Sequence, residues 1–163
     1  MLIKKQLFSL LKYLIIFTVV YIAVNLWRAP TLPQTPQLGY HQQGQPIDVI
    51  GQSHQAPILV YFWGSWCGVC SATSPNVQAL HASGYPVLTV AVSSGNDQEL
   101  GAYMSQHQYS FATINDHDGQ IFRAWQGKVT PSFVILSNGK AVQSFTGVAP
   151  LWSLKLRLWW ANV

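Results

Sequence analysis

A continuous apolar run leads directly into the chain's two cysteines. The run, Ile58 to Trp63, reads ILVYFW, and such β-branched and aromatic runs are typical of a strand buried on both faces. Cys67 and Cys70 follow it, at the start of a helical stretch from about Val69 to Ala82 that contains Pro75. On one helical turn, side chains at this spacing lie within reach of a disulfide. The sequence therefore predicts a buried strand that carries two thiols at its end.

Further strands and helices alternate along the rest of the chain. This alternation predicts an α/β fold with a central sheet flanked by helices, and a closing hairpin makes that sheet mixed. The expected strands are Ile47 to Ile50, Val87 to Val92, Phe111 to Ile114, Ser132 to Leu136 and Ala141 to Phe145. The further helices are Asp97 to His107, Ile121 to Trp125 and Leu151 to Trp160. In the last helix we expect Lys155 and Arg157 to point outward, and Trp159 and Trp160 are candidates for touching a bilayer or a partner.

The two cysteines are candidate redox catalysts. Cys67 lies at the expected N-terminus of the helix, where free backbone N–H groups and the helix dipole favour a thiolate. It is thus the expected nucleophile, and Cys70, one turn further on, is the expected resolving thiol. A structural disulfide is the alternative, but so small a loop constrains the unfolded chain weakly. A zinc site would need more ligands, and the five histidines show no paired metal spacing.

The length and composition of the N-terminal segment predict a membrane anchor. Residues 7–27 form an apolar span interrupted only by Ser9, Lys12 and Asn25, which is long enough to cross a bilayer as a helix. Three lysines precede or enter the span and a single Arg28 follows it, so the N-terminus is expected in the cytoplasm and the rest of the chain on the far side. A cleaved signal peptide is the alternative, but no good small-residue cleavage site follows the span.

Charge and composition divide the chain into three parts. We expect a cytoplasmic tip and anchor over residues 1–28, a spacer over 29–44 that is rich in proline and glutamine, and one domain over 45–163. The net charge of +4 arises from the first part, because from residue 45 onward five basic residues balance five acidic ones. The domain therefore has no excess positive charge with which to bind nucleic acid.

Two motifs resemble those of the thioredoxin superfamily. The segment Tyr61 to Cys70, with Pro75 five residues later, looks like its active-site signature, and Val129 to Ile135 looks like its cis-proline loop and following strand. The resemblance covers about residues 45 to 160. The single N-terminal anchor and the extra strand and helix between the motifs are similar to the membrane-tethered TlpA/ResA/DsbE branch of bacterial protein-disulfide oxidoreductases. Within it, the cysteine motif looks most like the ScsD type associated with copper-sensitivity suppression.

The resemblance implies a thioredoxin-like fold and a substrate site made of Trp66, Thr130 and Pro131. A cis bond between Thr130 and Pro131 would place the Thr130 backbone opposite Cys67, where a client segment can pair by strand addition. A trans proline at the start of a strand is the alternative. Trp66 would flank the nucleophile as an exposed apolar contact, whereas Trp63 is expected in the core.

Two positions depart from the family pattern. Thioredoxins carry a buried acid six residues before the first cysteine, where this chain has Tyr61, and some tethered relatives carry a glutamate where it has Thr73. Asp97, Glu99, Asp116 and Asp118 are the acids that folding could bring near instead, and we single out none of them. The dipeptide Gly68-Val69 also differs from the Gly-Pro of reducing thioredoxins, so it does not indicate the direction of electron flow.

Three functions follow as hypotheses. The first is an extracytoplasmic reductase of client disulfides, single-pass in the bacterial inner membrane with its domain in the periplasm, and without a cofactor. The resemblance implies that a membrane electron donor of the DsbD/ScsB type would regenerate its dithiol. The second is the same site working as an oxidant or isomerase. The third is a Cu(I) carrier that uses the two thiolates, against which a missing third ligand counts; a copper role for His41 or His54 lacks paired spacing.

Overall fold

The computed structural model describes residues 2–33, 41–42 and 45–162, which form six helices and seven strands. The rest of the expected spacer, residues 34–40 and 43–44, lies outside the described residues. The helices are α1 (Leu2–Arg28), α2 (Val49–Ser53), α3 (Gly68–Ala82), α4 (Asp97–Gln106), α5 (Gln120–Ala124) and α6 (Leu151–Ala161). The strands are β1 (His41–Gln42), β2 (Gln45–Pro46), β3 (Ile58–Trp63), β4 (Val87–Val92), β5 (Ala112–Asp116), β6 (Ser132–Ser137) and β7 (Lys140–Thr146).

A mixed sheet of five strands forms the centre of the domain. Its order is β5-β4-β3-β6-β7, with β3, β4 and β5 parallel and with β6 antiparallel to both β3 and β7. Strands β3, β4 and β6 are buried at every residue, as expected for apolar runs covered on both faces. The α/β class with a mixed central sheet and flanking helices is therefore confirmed.

The sheet has a core on each face. One core contains Trp63, Cys70, Leu80, Leu100 and Leu154, so helices α3, α4 and α6 cover that side. The other core contains Val49, Phe62, Ile121 and Trp125, so α2 and the α5 region cover the opposite side. Trp63 is fully buried and donates its Nε1–H to Thr89 Oγ1 at 3.1 Å. Its expected place in the core is confirmed.

The expected first strand, Ile47 to Ile50, is wrong. Residues Val49–Ser53 form the short helix α2, and the Asp48 side chain accepts the Gly51 N–H at 2.7 Å as its N-cap. Four residues, of which three are apolar, have no periodicity that separates a strand from a buried helical turn, so the Asp48 cap decided the outcome. The expected strands Ile58–Trp63 and Val87–Val92 are confirmed with the same bounds. The remaining expected elements differ by one or two residues at their ends; for example, β5 begins at Ala112 rather than Phe111.

Helix α6 covers the sheet, but its charged residues do not point outward as expected. Lys155 and Arg157 are half-buried, and their cationic groups lie 5.8 Å from the ring centre of Tyr85 and 4.1 Å from that of Phe145. Cation–π attraction and the apolar stems of these side chains favour that packing. The exposed residues are instead apolar: Trp152, Leu156, Trp159 and Trp160.

Helix α1 is long and apolar enough to cross a membrane. This holds by length and composition over Phe8–Asn25, and none of that segment is buried within the structure. The chain then turns onto the domain instead of extending freely, because Ala29 and Pro30 are buried. The first residues of the expected spacer therefore pack on the domain.

Candidate active site

Cys67 is the residue that caps the N-terminus of α3, four residues after the end of β3. Cys67 and Cys70 form a disulfide with a Cα–Cα distance of 5.2 Å. Cys67 is 7% exposed and Cys70 is 1% exposed. The helix therefore presents Cys67 at its tip and shields Cys70 one turn inside.

The surroundings of Cys67 favour a thiolate once the disulfide is reduced. The Cys70 backbone N–H donates to Cys67 Sγ at 3.2 Å, and the first turn of α3 carries no acidic residue. The N–H groups and the dipole of the helix thus act on this sulfur without an opposing carboxylate. A nucleophilic Cys67 and a resolving Cys70 are the roles that this asymmetry suits.

The loop before β6 lies against Cys67. The Thr130–Pro131 peptide bond is cis, as the resemblance implied, and Thr130 O lies 3.6 Å from Cys67 Sγ. Strand β6 is antiparallel to β3, with Ser132 opposite Phe62, so the start of β6 reaches the same sheet edge as the end of β3. The Gly147 N–H donates to Pro131 O at 3.0 Å and ties this loop to the segment after β7.

Trp66 lies beside the disulfide and is 62% exposed. Its Nε1–H donates to Val92 O at 3.0 Å, which holds the indole against the end of β4. Gly64 makes room for this ring, because a Cβ at Gly64 would lie 2.7 Å from two indole atoms. The structure thus places Trp66, Cys67 and Thr130 at one edge of the sheet.

Two exposed valines are next to residues of this site in the chain, although no binding role was predicted for either from the sequence. Val69 follows the first cysteine by two positions and is 49% exposed, and Val148 is 62% exposed. Val148 directly follows Gly147, which binds Pro131. The motif spacing contained a signal for Val69, whereas Val148 lies 81 positions from Cys67 in the sequence and carries no local signal.

Hydroxyl groups occupy the two positions at which relatives carry an acid. Tyr61 is fully buried and its hydroxyl lies 2.9 Å from Ser74 Oγ. Burial raises the pKa of the Tyr61 phenol well above its usual range, although the bond to Ser74 opposes that effect. Thr73 is also buried and donates to Val69 O at 3.1 Å.

The four candidate acids serve other purposes in the structure. Asp116 is buried and accepts the backbone N–H groups of Ile121 and Phe122 at the start of α5. Glu99 belongs to the capping box of α4, Asp97 accepts from the Asn115 side chain, and Asp118 accepts from Gln120. None of these bonds involves either cysteine. Within the described ranges, no three or more histidine, cysteine or acidic side chains cluster as metal ligands would.

Comparisons with known proteins agree on one family. The Redoxin family model matches residues 29–152. A thioredoxin-like protein of Haemophilus influenzae is 38% identical over 162 residues, which cover 98% of this chain and 97% of the relative. The similarity extends over nearly the full length of both chains and therefore includes the apolar N-terminal helix.

Solved structures show the same fold at lower identity. StoA from Bacillus subtilis superimposes with a TM-score of 0.62 at 20% identity, covering 79% of this chain and 96% of that one. A secreted Mycobacterium tuberculosis disulfide oxidoreductase homologous to Escherichia coli DsbE gives a TM-score of 0.60 at 20% identity, covering 80% and 92%. The thioredoxin-like fold expected from the two motifs is therefore confirmed. The chain belongs to the Redoxin family and, with a Cys67–Cys70 disulfide at the start of a helix, is a thioredoxin-like disulfide oxidoreductase.

Proposed function

We propose that the protein is a membrane-tethered, extracytoplasmic reductase of client-protein disulfides. The observation that carries the proposal is the position of Cys67, which caps α3 and lies 3.6 Å from Thr130 O. In this arrangement one sulfur is activated by the helix and also faces a backbone edge with which an extended client segment can pair. We assign catalysis to Cys67 and Cys70, and client binding to Trp66, Thr130 and Pro131.

The proposed reaction transfers two electrons by two exchange steps. The Cys67 thiolate attacks one sulfur of the client disulfide, an Sγ–S bond forms, and the other client sulfur leaves as a thiolate. The Cys70 thiolate then attacks Cys67 Sγ and displaces the first client sulfur. The client gains two electrons and takes up protons as a dithiol, and the protein is left with the Cys67–Cys70 disulfide.

Helix α1 supports the tethered part of the proposal. Three lysines before or within the span and one arginine after it favour a cytoplasmic N-terminus, which leaves the domain in the bacterial periplasm. Residues 1–28 would then be the tip and anchor, 29–44 the connecting segment and 45–163 the catalytic domain. A retained anchor keeps the disulfide beside the bilayer, where a membrane electron donor of the DsbD/ScsB type, itself a dithiol, can reduce it.

The redox state of the cysteines in cells tests the direction of electron flow. Full-length protein is quenched with acid, alkylated with a mass tag and compared with a chain that carries Cys67→Ser and Cys70→Ser. Mostly dithiol supports the reductase, and a shift to disulfide on deletion of candidate donors identifies the donor. A protein found mostly as the disulfide contradicts the reductase and favours an oxidant or isomerase. Thiols that resist alkylation until copper is chelated favour the Cu(I) carrier.

A further inference from the structure

The C-terminal end of α1 is bonded to the catalytic domain by two side chains, one from the loop before β6 and one from the last residue of β7. Asn25 Oδ1 accepts the Thr146 Oγ1–H at 2.9 Å. Trp27 O accepts the Lys128 Nζ–H at 2.8 Å, and the same ammonium group lies 4.0 Å from the centre of the Trp27 ring. These contacts join residues that are 121 and 101 positions apart in the sequence.

The physical chemistry of a helix end explains the Lys128 contact. The last carbonyl groups of a helix have no partner within the helix and form the negative end of its dipole. Lys128 supplies both a donor and a positive charge to one of them. Asn25, the polar interruption at the end of the apolar span, donates its Nδ2–H to Tyr21 O at 3.1 Å and thereby presents its Oδ1 to Thr146.

The residues that follow α1 extend the attachment. The Thr31 N–H donates to Trp125 O at 2.8 Å. Ala29 is buried, and Leu32 packs against the core that contains Trp125. The connection between α1 and the domain, residues 25–32, is therefore packed and hydrogen-bonded and is not a flexible linker.

Both attachment points flank the loop that faces Cys67. Lys128 lies two residues before Thr130 in the sequence. Thr146 pairs with Ser132 in the sheet, and its neighbour Gly147 donates to Pro131 O. The bonds to α1 thus lie on each side of Thr130 and Pro131 along the chain and in the sheet.

We propose that the contacts of residues 25–32 with Lys128 and Thr146, here called the brace, restrain the cis-proline loop at Thr130 and Pro131. Lys128 and Thr146 are then positioning residues that hold the Thr130 backbone in place for client binding. The inference rests on the proposed function, because it assigns the loop to the client. Through the brace, helix α1 sets the orientation of the domain as well as its location. Loosening the brace should weaken pairing with a peptide and leave the reactivity of Cys67 intact, since α3 is not touched.

The test uses the full-length chain in lipid nanodiscs with dithiothreitol as the electron source. We compare wild type, the double variant Lys128→Gln/Thr146→Val and Asn25→Leu, which alters the brace from the α1 side. Lys128→Arg keeps the charge and the donor and should restore wild-type behaviour. Lys140→Gln is the matched control, because Lys140 is an exposed lysine at the far end of β7.

Two substrates separate positioning from general damage. With a disulfide-bonded peptide we expect the double variant and Asn25→Leu to raise KM about tenfold, with kcat within about twofold of wild type. Dithiodipyridine, a small disulfide that needs no strand pairing, is mixed with protein that has been reduced and then freed of dithiothreitol, and its rate of reaction should not change. An unchanged peptide KM, or an equal loss with both substrates, would overturn the brace.

Hydrogen exchange tests the brace even if the proposed function fails. The backbone amides of Thr130 and Ser132 should exchange about tenfold faster in the double variant than in wild type or Lys140→Gln. Wild-type protein that reduces neither substrate would contradict the reductase, yet faster exchange in the double variant would still support the brace. Equal exchange in all variants would contradict the brace whatever the activity.

Discussion

Thr130 O lies 3.6 Å from Cys67 Sγ, although the two residues are 63 positions apart in the sequence. In the disulfide the sulfur carries no proton, and in the dithiol the Cys67 S–H can donate to this carbonyl. Among the described residues no strand ladder includes Thr130, so its backbone is available for the proposed pairing with a client. The relationship joins the disulfide sulfur and the proposed client-binding backbone into one site.

Substitution of the two cysteines should produce opposite kinds of failure. Cys67→Ser removes the nucleophile, so we expect no mixed disulfide and a loss of exchange activity by at least about a thousandfold. Cys70→Ser leaves Cys67 able to attack but unable to be released, so clients should accumulate as mixed disulfides. Non-reducing gels and mass spectrometry of the trapped adducts would measure both. Equal trapping by the two variants would contradict the assignment of nucleophile and resolving thiol.

Gly64→Ala should displace the Trp66 indole. The new Cβ would lie 2.7 Å from ring atoms, so the indole must move and the bond from Nε1–H to Val92 O is lost at a cost of about 1 kcal/mol. We expect weaker binding of peptide disulfides and a shifted indole N–H resonance for Trp66. Gly101→Ala is the matched control, because Gly101 is in an exposed helical position with open space around it and alanine there should stabilise the fold. An unmoved indole resonance in Gly64→Ala would refute the packing argument.

The buried pair Tyr61 and Ser74 should show energetic coupling. Tyr61→Phe and Ser74→Ala each leave a buried hydroxyl without the partner that lies 2.9 Å away in the wild type, which costs about 1–3 kcal/mol. The double variant removes both groups and should lose less than the sum of the two. Urea unfolding of the four proteins in the cycle measures this difference. Strict additivity would mean that the pair contributes no mutual stabilisation.

Stability should fall at alkaline pH through Tyr61. Burial raises the pKa of this phenol above the value of 10.0 for a free tyrosine, so above about pH 10 the unfolded chain releases a proton that the folded chain retains. The contribution of Tyr61 to the free energy of unfolding is therefore complete below about pH 10 and is lost as the pH rises toward the pKa of Tyr61 in the folded protein. Urea midpoints between about pH 8 and about pH 11 should decline less steeply in Tyr61→Phe. The decline of the urea midpoint with pH that remains in Tyr61→Phe includes the effect of Tyr109, because burial also raises the pKa of that phenol. If the decline in Tyr61→Phe is as steep as in wild type, Tyr61 is excluded as its cause.

Features set by local chemistry were predictable from the sequence. The apolar run at Ile58 predicts a strand buried on both faces, and the position of Cys67 predicts a sulfur at the start of a helix. Each depends on residues within one strand or one helical turn, where periodicity, capping and the helix dipole act directly. The four-residue run at Ile47 was too short for such a pattern, and there the Asp48 cap produced a helix.

Contacts between distant residues were decided by the tertiary structure. The resemblance to thioredoxins places Tyr61 where those proteins carry an acid, but only the packing of β3 against α3 reveals Ser74 as its partner. The sequence likewise contains nothing that connects Asn25 to Thr146 or Trp27 to Lys128. By itself the sequence determined the reactive pair, the layered α/β architecture and the apolar helix, because those follow from neighbouring residues. The cis-proline loop beside Cys67 and the attachment of α1 were decided only when the sheet brought remote segments together, because packing and long-range hydrogen bonds depend on the assembled core.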